Sequence, residues 1–333
     1  MIHDHSVQMT DLPGSELDVS KIPGHWLLAR LGKRVLRPGG LGLTRALLDG
    51  LAIGPADKVV EFAPGLGVTA RMILQRRPRC YTDVERDAKA MQWTARQLPP
   101  NPNISVVVGR ADQTSLPAAS ASVVIGEAML SMNTAEHKRL IATEAFRLLR
   151  PGGRYGIHEL AVIPEDMPAD QKHEIDRTLS SVIHVGARPL PATEWRALLE
   201  SVGFRIVTIA YAPMHLLRPV RLIQDEGIVG ALRLAKNLIL DSAARRRVLA
   251  MRQVIECYRQ KFERDLHCRA EGLGVRLPEI MQRRCGRVLF FPSPGGIEPD
   301  WRLGPRAHPL MVAREPMVSD PKGHVHGRPF PIG

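Results

Sequence analysis

Glu61 lies near the end of a short apolar run, Val59-Val60-Glu61-Phe62, which is followed at once by Ala63-Pro64-Gly65-Leu66-Gly67. This order joins a carboxylate to a turn that presents backbone, rather than side chains, to a ligand. Glycine has no Cβ, so Gly65 and Gly67 let the chain turn sharply and lie close against a bound molecule. Val68 to Gln75 has helical composition, and the unpaired N–H groups of such a helix start point toward the same place. A carboxylate beside the loop attracts a cationic amino group and repels a pyrophosphate. The chemistry indicated is the binding of an amine-bearing nucleotide.

Gly65 to Ala70 also fits the dinucleotide pattern G-x-G-x-x-A. Glu61 decides between the two, favouring S-adenosylmethionine over a nicotinamide dinucleotide. A second acid, Asp83 in Tyr81-Thr82-Asp83-Val84-Glu85, falls near the end of the next apolar run, where a carboxylate accepts from both ribose hydroxyls.

Glu61 to Gly67, Asp83, Gly109-Arg110-Ala111-Asp112, Gly126-Glu127-Ala128-Met129-Leu130 and Leu148-Leu149-Arg150-Pro151-Gly152-Gly153 follow one another in that order. The series resembles the class I S-adenosylmethionine-dependent methyltransferases, and within them the small-molecule and lipid methyltransferases of the ubiquinone/menaquinone-biosynthesis type. The resemblance runs from about Leu36 to Tyr211. Its most specific elements are the glycine loop and the Leu-Leu-Arg-Pro-Gly-Gly turn. Two departures stand out: Ala63 takes the place of the first loop glycine, and Arg110 stands where many members carry an acid. The resemblance implies that Ala63, Gly65 and Gly67 hold the methionine end of S-adenosylmethionine, with Glu61 at its amino group. It places Asp83 on the ribose and Ala111 with Asp112 at adenine. Glu127 is expected to border the cofactor.

Catalysis asks mainly that a nucleophile be held in line with the sulfonium methyl and that water be excluded. Glu127, after the fourth strand, is expected either to act as a base or to cap the following helix. His158 closes the fifth strand at the same rim, as a general base or as a hydrogen-bonded wall residue. His184, in Ile183-His184-Val185-Gly186, precedes a helix that covers substrate in similar enzymes, and is expected to touch the acceptor. Met129, Met132 and Met214 are expected either to line an apolar pocket or to fill core. The sequence after the fourth strand lacks the Asn/Asp-Pro-Pro-aromatic run used on exocyclic amines of bases, and aromatic residues make up only 5% of the chain. Both points favour a small-molecule or lipid-like acceptor over nucleic acid.

These residues need a scaffold that brings them to one edge. Strands are expected at 58–62, 79–84, 104–108, 122–127, 154–160 and 204–211, with helices at 86–97, 136–149 and 193–201 between them. The alternation predicts an α/β fold, a Rossmann-like, doubly wound, mostly parallel sheet with helices on both faces. Ahead of it lies a helical lead-in, two helices over 24–51 parted by Arg37-Pro38-Gly39-Gly40. That break is expected either to lay backbone against substrate or to be an ordinary turn. The expected organisation is a flexible start over 1–22, the cofactor-binding domain with its lid helices over 23–211, a basic helical extension over 212–266, and a largely disordered tail over 267–333. From Gly286 onward, 9 prolines and 7 glycines occur in 48 residues. The one late strand candidate is Arg287 to Phe291, for a sheet edge that would otherwise be left open.

Composition agrees with an enzyme that has a sizeable core, at 333 residues and 44% hydrophobic. The first twenty residues are polar, without a secretory apolar stretch, and no run is long enough to span a bilayer, so a cytoplasmic location is expected. Cys80, Cys257, Cys268 and Cys285 lack paired short spacing, so neither disulfides nor a metal site is expected. Residues 1–211 carry a net charge of +3 and residues 212–333 one of +9. Basicity in the C-terminal third suits peripheral contact with anionic membranes or RNA, although GC-rich coding also explains an excess of arginine. Two other classes fit parts of the pattern: a nicotinamide-dependent oxidoreductase, and a cofactor-binding module without turnover.

Overall fold

The central sheet is assembled from strands that alternate with helices, and the residues at the turns show where each element stops. The computed structural model describes residues 12–272 and 311–314, with side chains at 12–258. β1 (Lys58–Phe62), β2 (Cys80–Glu85), β3 (Ile104–Val108), β4 (Ala121–Glu127) and β5 (Leu149–His158) run parallel in the order β3-β2-β1-β4-β5. β4 is buried over six successive residues, the pattern of a central strand covered on both faces. Between them, α3 (Val68–Gln75) opens on Gly67 at φ 70°. α4 (Ala88–Gln97) opens on Asp87, whose side chain accepts from the Lys89 and Ala90 amides at 2.8 and 3.0 Å. α5 (Ala135–Leu148) opens on Thr134. Being parallel, the strands deliver their C-terminal ends to one rim, so Phe62, Glu85, Glu127 and His158 finish on the same side of the sheet.

Helices close both faces of β5. On one, α2 (Gly40–Gly50) comes so close that a Cβ at Gly156 would meet methyls of Leu47 and Leu51 at 2.7 and 2.8 Å. On the other, Tyr155 stacks near Phe204, at the end of α7 (Ala192–Val202), with ring centroids 5.3 Å apart. A two-stranded parallel pair, β6 (Ala161–Val162) with β7 (Leu190–Pro191), flanks α6 (Ala169–Ile183).

The edge of the sheet differs from expectation. β8 (Arg205–Ile209) does not stand open: β9 (Met311–Arg314) lies between β5 and β8 and is antiparallel to both. The closing strand is therefore 311–314, inside the tail expected to be disordered. The candidate at 287–291 lies outside the described residues, as do Cys285 and the side chains of His267 and Cys268. A Val-Ala pair in a proline-rich context carries almost no strand signal of its own. Here the pairing partners on both sides, rather than local propensity, select it.

A second apolar cluster forms a cap over the rim. It joins α1 (Gly24–Arg30) to α8 (Pro219–Leu240) and α9 (Ser242–Gly272) through Leu27, Leu28, Leu31, Leu234, Val248 and Met251. The stretch expected as an appended basic extension thus shares a core with the lead-in helix.

Candidate functional site

A cavity of about 430 Å³ opens at the rim, bounded below by the ends of β1, β2 and β4 and above by the segment 34–37. Glu61, Ala63, Gly65, Ala111, Asp112 and Glu127, six of the residues expected at the cofactor, all line it. Ala63 holds a left-handed φ of 51°, the conformation for which glycine is the unstrained residue, which explains why a glycine is the common choice there. Gly67 is not on the wall. It starts α3, where a Cβ would press on Thr94 Cγ2 at 3.3 Å.

Asp83 is a correction. It is fully buried, its two oxygens have no hydrogen-bond partner, and it does not line the cavity. Alternate residues of a strand share a face, so Asp83 and Glu85 point the same way, but Asp83 lies about 6–7 Å deeper. Glu85 is the acid at the rim, lining the cavity and accepting from the Asp87 amide at 3.0 Å. The signal that locates the strand end was present: Asp87 is a helix cap, so the preceding strand can only finish at Glu85.

Three acids crowd this side of the sheet. Burial pushes Glu61 up to about 8, against the Tyr81 hydroxyl, which donates to it at 2.7 Å. Burial, together with Glu61 and Glu85, pushes Asp83 to about 8 as well. A buried, largely neutral Glu61 is a site waiting for a cation. Across the cavity, Arg37 Nη2 and Arg34 Nη1 are buried without a partner. A buried acid and two guanidinium nitrogens without hydrogen-bond partners, lining one space, fit the ammonium and carboxylate of an amino-acid end. S-adenosylmethionine has such an end, and Glu85 and the Ala111-Asp112 turn then fit its nucleoside.

The expected bases are placed differently. Glu127 receives the Thr44 hydroxyl at 2.7 Å, the Thr69 hydroxyl and His158 Nδ1 at 2.7 Å, and pairs with Arg37 Nε at 3.3 Å, which itself donates to the Thr44 hydroxyl at 2.6 Å. Burial alone would raise its pKa, but Arg37, His158 and Thr69 outweigh burial and hold it at about 2. With its oxygens engaged by Thr44, Thr69 and His158, it stands as an anion beside Arg37. His158 is fully buried with both ring nitrogens engaged, Nδ1 with Glu127 and Nε2 with the Pro38 carbonyl, and it does not line the cavity. The Pro-Gly-Gly break is thus held down onto the rim. Glycine is needed at position 40, since a Cβ there would strike the Asp225 carboxylate. His184 is exposed at the end of α6 with φ 54° and lines neither cavity; its neighbour Val185 does.

A second cavity, of about 80 Å³, lies beneath the cap and is lined by apolar side chains such as Leu28, Leu179, Met214, Leu217, Met251 and Ile255. Met132 and Met214 border it. His25, Leu36, Ala128, Met132 and Val185 belong to both cavities and form the wall between them. His25 is the polar member. Its Nδ1 is buried without a partner, and burial, reinforced by Arg86, lowers its pKa to about 4. Sequence reasoning missed it, because an isolated histidine in Gly-His-Trp-Leu-Leu belongs to no motif. Glu159, beside His158 at the end of β5, receives the amides of Met129, Leu130 and Ser131 at 2.9, 2.6 and 2.9 Å and so shapes the turn after β4.

Comparison with known proteins follows the same outline. A methyltransferase-domain family model matches residues 59–153. An uncharacterized protein of Haemophilus influenzae is 34% identical over 218 residues, 64% of this chain and 84% of its own. An uncharacterized methyltransferase of Bacillus subtilis, YodH, is 27% identical over 54% of this chain and 73% of its own. Among solved structures, a phosphoethanolamine N-methyltransferase of Haemonchus contortus superposes with a TM-score of 0.57 at 12% identity, covering 93% of this chain and 61% of its own. A [4+2]-cyclase, SpnF, superposes with a TM-score of 0.51 at 14% identity, covering 83% and 80%. These last two show a shared fold. Among the described residues no helix is long and apolar enough to cross a membrane, and no cluster suited to a metal ion occurs.

Proposed function

Because the chain belongs to the class I S-adenosylmethionine-dependent methyltransferases, we propose that its acceptor is an apolar small molecule seated in the second cavity. The observation that carries this reading is the wall common to the two cavities, where an acceptor beneath the cap meets the cofactor side. S-adenosylmethionine supplies an electrophilic methyl when bound. Glu61, Arg37 and Arg34 would hold its amino-acid end, and Glu85 with Ala111 and Asp112 its nucleoside. Glu127 and His158 then serve as positioning residues: they fix Arg37 and the Pro38 backbone over the rim, closing the site to water. His25 is the residue placed to hold an acceptor hydroxyl. With the proton on Nε2, Nδ1 accepts the O–H, and a hydroxyl oxygen that gains a methyl becomes acidic enough to yield its proton even to this weak base.

The test uses methyl-labelled S-adenosylmethionine and a cell extract as the source of acceptors. Label is expected in the organic-soluble fraction. Ala187→Phe, which fills the second cavity, is expected to abolish that transfer while calorimetry shows unchanged cofactor affinity. Label confined to nucleic acid or protein would overturn the reading.

A further inference from the structure

Large hydrophobic side chains left exposed on a soluble surface are normally scattered, as Leu17, Val108 and Leu140 are here. α8 is the exception. After its kink at Gly227, Ile228, Val229, Leu232, Ile239 and Leu240 are each between 65% and 72% exposed. At 3.6 residues per turn, Ile228, Leu232 and Ile239 fall within about 40° of one another, and Val229 and Leu240 extend the stripe by about 80°. Leu234, on the opposite side, is the residue buried in the cap core. The half-helix therefore has two apolar faces, one packed and one bare. Val220 and Ile223 add exposed apolar surface before the kink.

The charges around this face have one sign. From 219 to 255 every exposed charged residue is basic: Arg233, Lys236, Arg245, Arg246 and Arg252. Of the three acids in the same stretch, Asp241 is half-buried and accepts from the Ala244 amide at 2.9 Å. Asp225 and Glu226 grip the lead-in, where Glu226 accepts from Lys33 Nζ and from the Arg34 and Val35 amides at 3.2, 2.9 and 2.9 Å. The basic cluster also touches the stripe itself, since the Arg245 guanidinium reaches the Ile239 carbonyl at 3.3 Å. A helix with one face on protein, an apolar stripe outward and basic residues beside it matches an interfacial helix lying in the headgroup region of a bilayer. An RNA surface would use the charges but leave the isoleucines in water.

We infer that the outer face of α8 docks on an anionic lipid membrane, with Ile228, Leu232 and Ile239 entering the interface and the arginines of α8 and α9 on the headgroups. The inference goes beyond the acceptor reading and stands apart from it, because vesicles free of any acceptor test it. α9 lines the apolar cavity through Met251 and Ile255, and Leu217, two residues before α8, lines it as well, so docking would bring that cavity toward the lipid phase.

The experiment is co-sedimentation of the full chain with vesicles of phosphatidylcholine alone and with roughly one third phosphatidylglycerol. Binding is expected to the mixed vesicles and to fall by about tenfold or more without the anionic lipid. Ile228→Asp with Ile239→Asp is expected to weaken it by about tenfold or more, and Arg245→Glu with Arg246→Glu by a similar factor. Both pairs are exposed, and calorimetry with S-adenosylmethionine is expected to find their cofactor affinity unchanged. Failure to bind anionic vesicles, equal binding by both variants, or binding to an RNA homopolymer in place of vesicles would overturn the inference. So would a dimer in light scattering that the isoleucine variant dissolves, since the stripe would then face a second copy.

Discussion

The rim of the sheet and the cap above it bind the same space by opposite means. At the rim, position comes from strand ends: parallel register fixes where Glu61, Glu85 and Glu127 finish, and short turns hold the rest. In the cap, position comes from buried charge. Lys33 is fully buried, and burial lowers its pKa although Glu226 and Asp225 oppose that shift. The rim is rigid because backbone ladders cross it. The cap holds its place because a few long-range acid contacts tie residues 33–41 to α8.

That contrast predicts where the molecule breaks most easily. Glu226→Ala removes the nearer partner of a buried ammonium and strips two backbone amides of their acceptor, a change that costs about 3–5 kcal/mol. Chemical denaturation should show the loss, and hydrogen exchange should show it concentrated in 31–41 while β1 and β4 stay protected. Uniform acceleration across the sheet would mean that cap and rim form one cooperative unit.

The same contrast explains what the sequence disclosed. The rim is built from local signals. An apolar run followed by glycines marks β1 and its loop, Asp87 marks the start of α4, and Leu-Leu-Arg-Pro-Gly-Gly marks the turn into β5, so five strands and six residues of the cavity wall were legible. Asp83 and Glu85 share one face of β2, and only the cap residue Asp87 distinguishes the buried acid from the one at the rim. The cap is assembled from contacts nearly two hundred residues apart, such as Lys33 with Glu226 and Leu41 with Asp225. No periodicity records such pairings. His25 and β9 escaped for the same reason: one gains its role from two cavities meeting at it, the other from the strands on either side.

The rim carries its own weak point, of second size. Asp83 is raised from 3.8 to about 8 by burial and by its acidic neighbours. Its folded form thus holds a proton that the unfolded chain has already released. Stability from this group is intact below about pH 4 and is lost progressively as pH rises toward 8. Asp83→Asn removes the liability. Thermal unfolding should show the variant more stable than wild type by up to about 5 kcal/mol at pH 8, and indistinguishable from it below pH 4. A constant difference across that range would assign the effect to packing instead.

The smallest effect is the one that separates the two acids most sharply. Glu85 lines the cavity and Asp83 does not, so only Glu85 has a carboxylate to offer a ribose. A hydrogen bond to a charged acceptor contributes about 1.5–3 kcal/mol, so Glu85→Ala should weaken S-adenosylmethionine by about ten- to a hundredfold in calorimetry. Asp83→Asn, tested at pH 7 where Asp83 is mainly neutral in the folded state, should leave that affinity within about twofold. Equal losses from both would mean that the three acids act as one coupled cluster, with Asp83 setting the charge that Glu61 and Glu85 present. The geometry argues otherwise, since both Asp83 oxygens are closed off behind the strand end that Glu85 occupies.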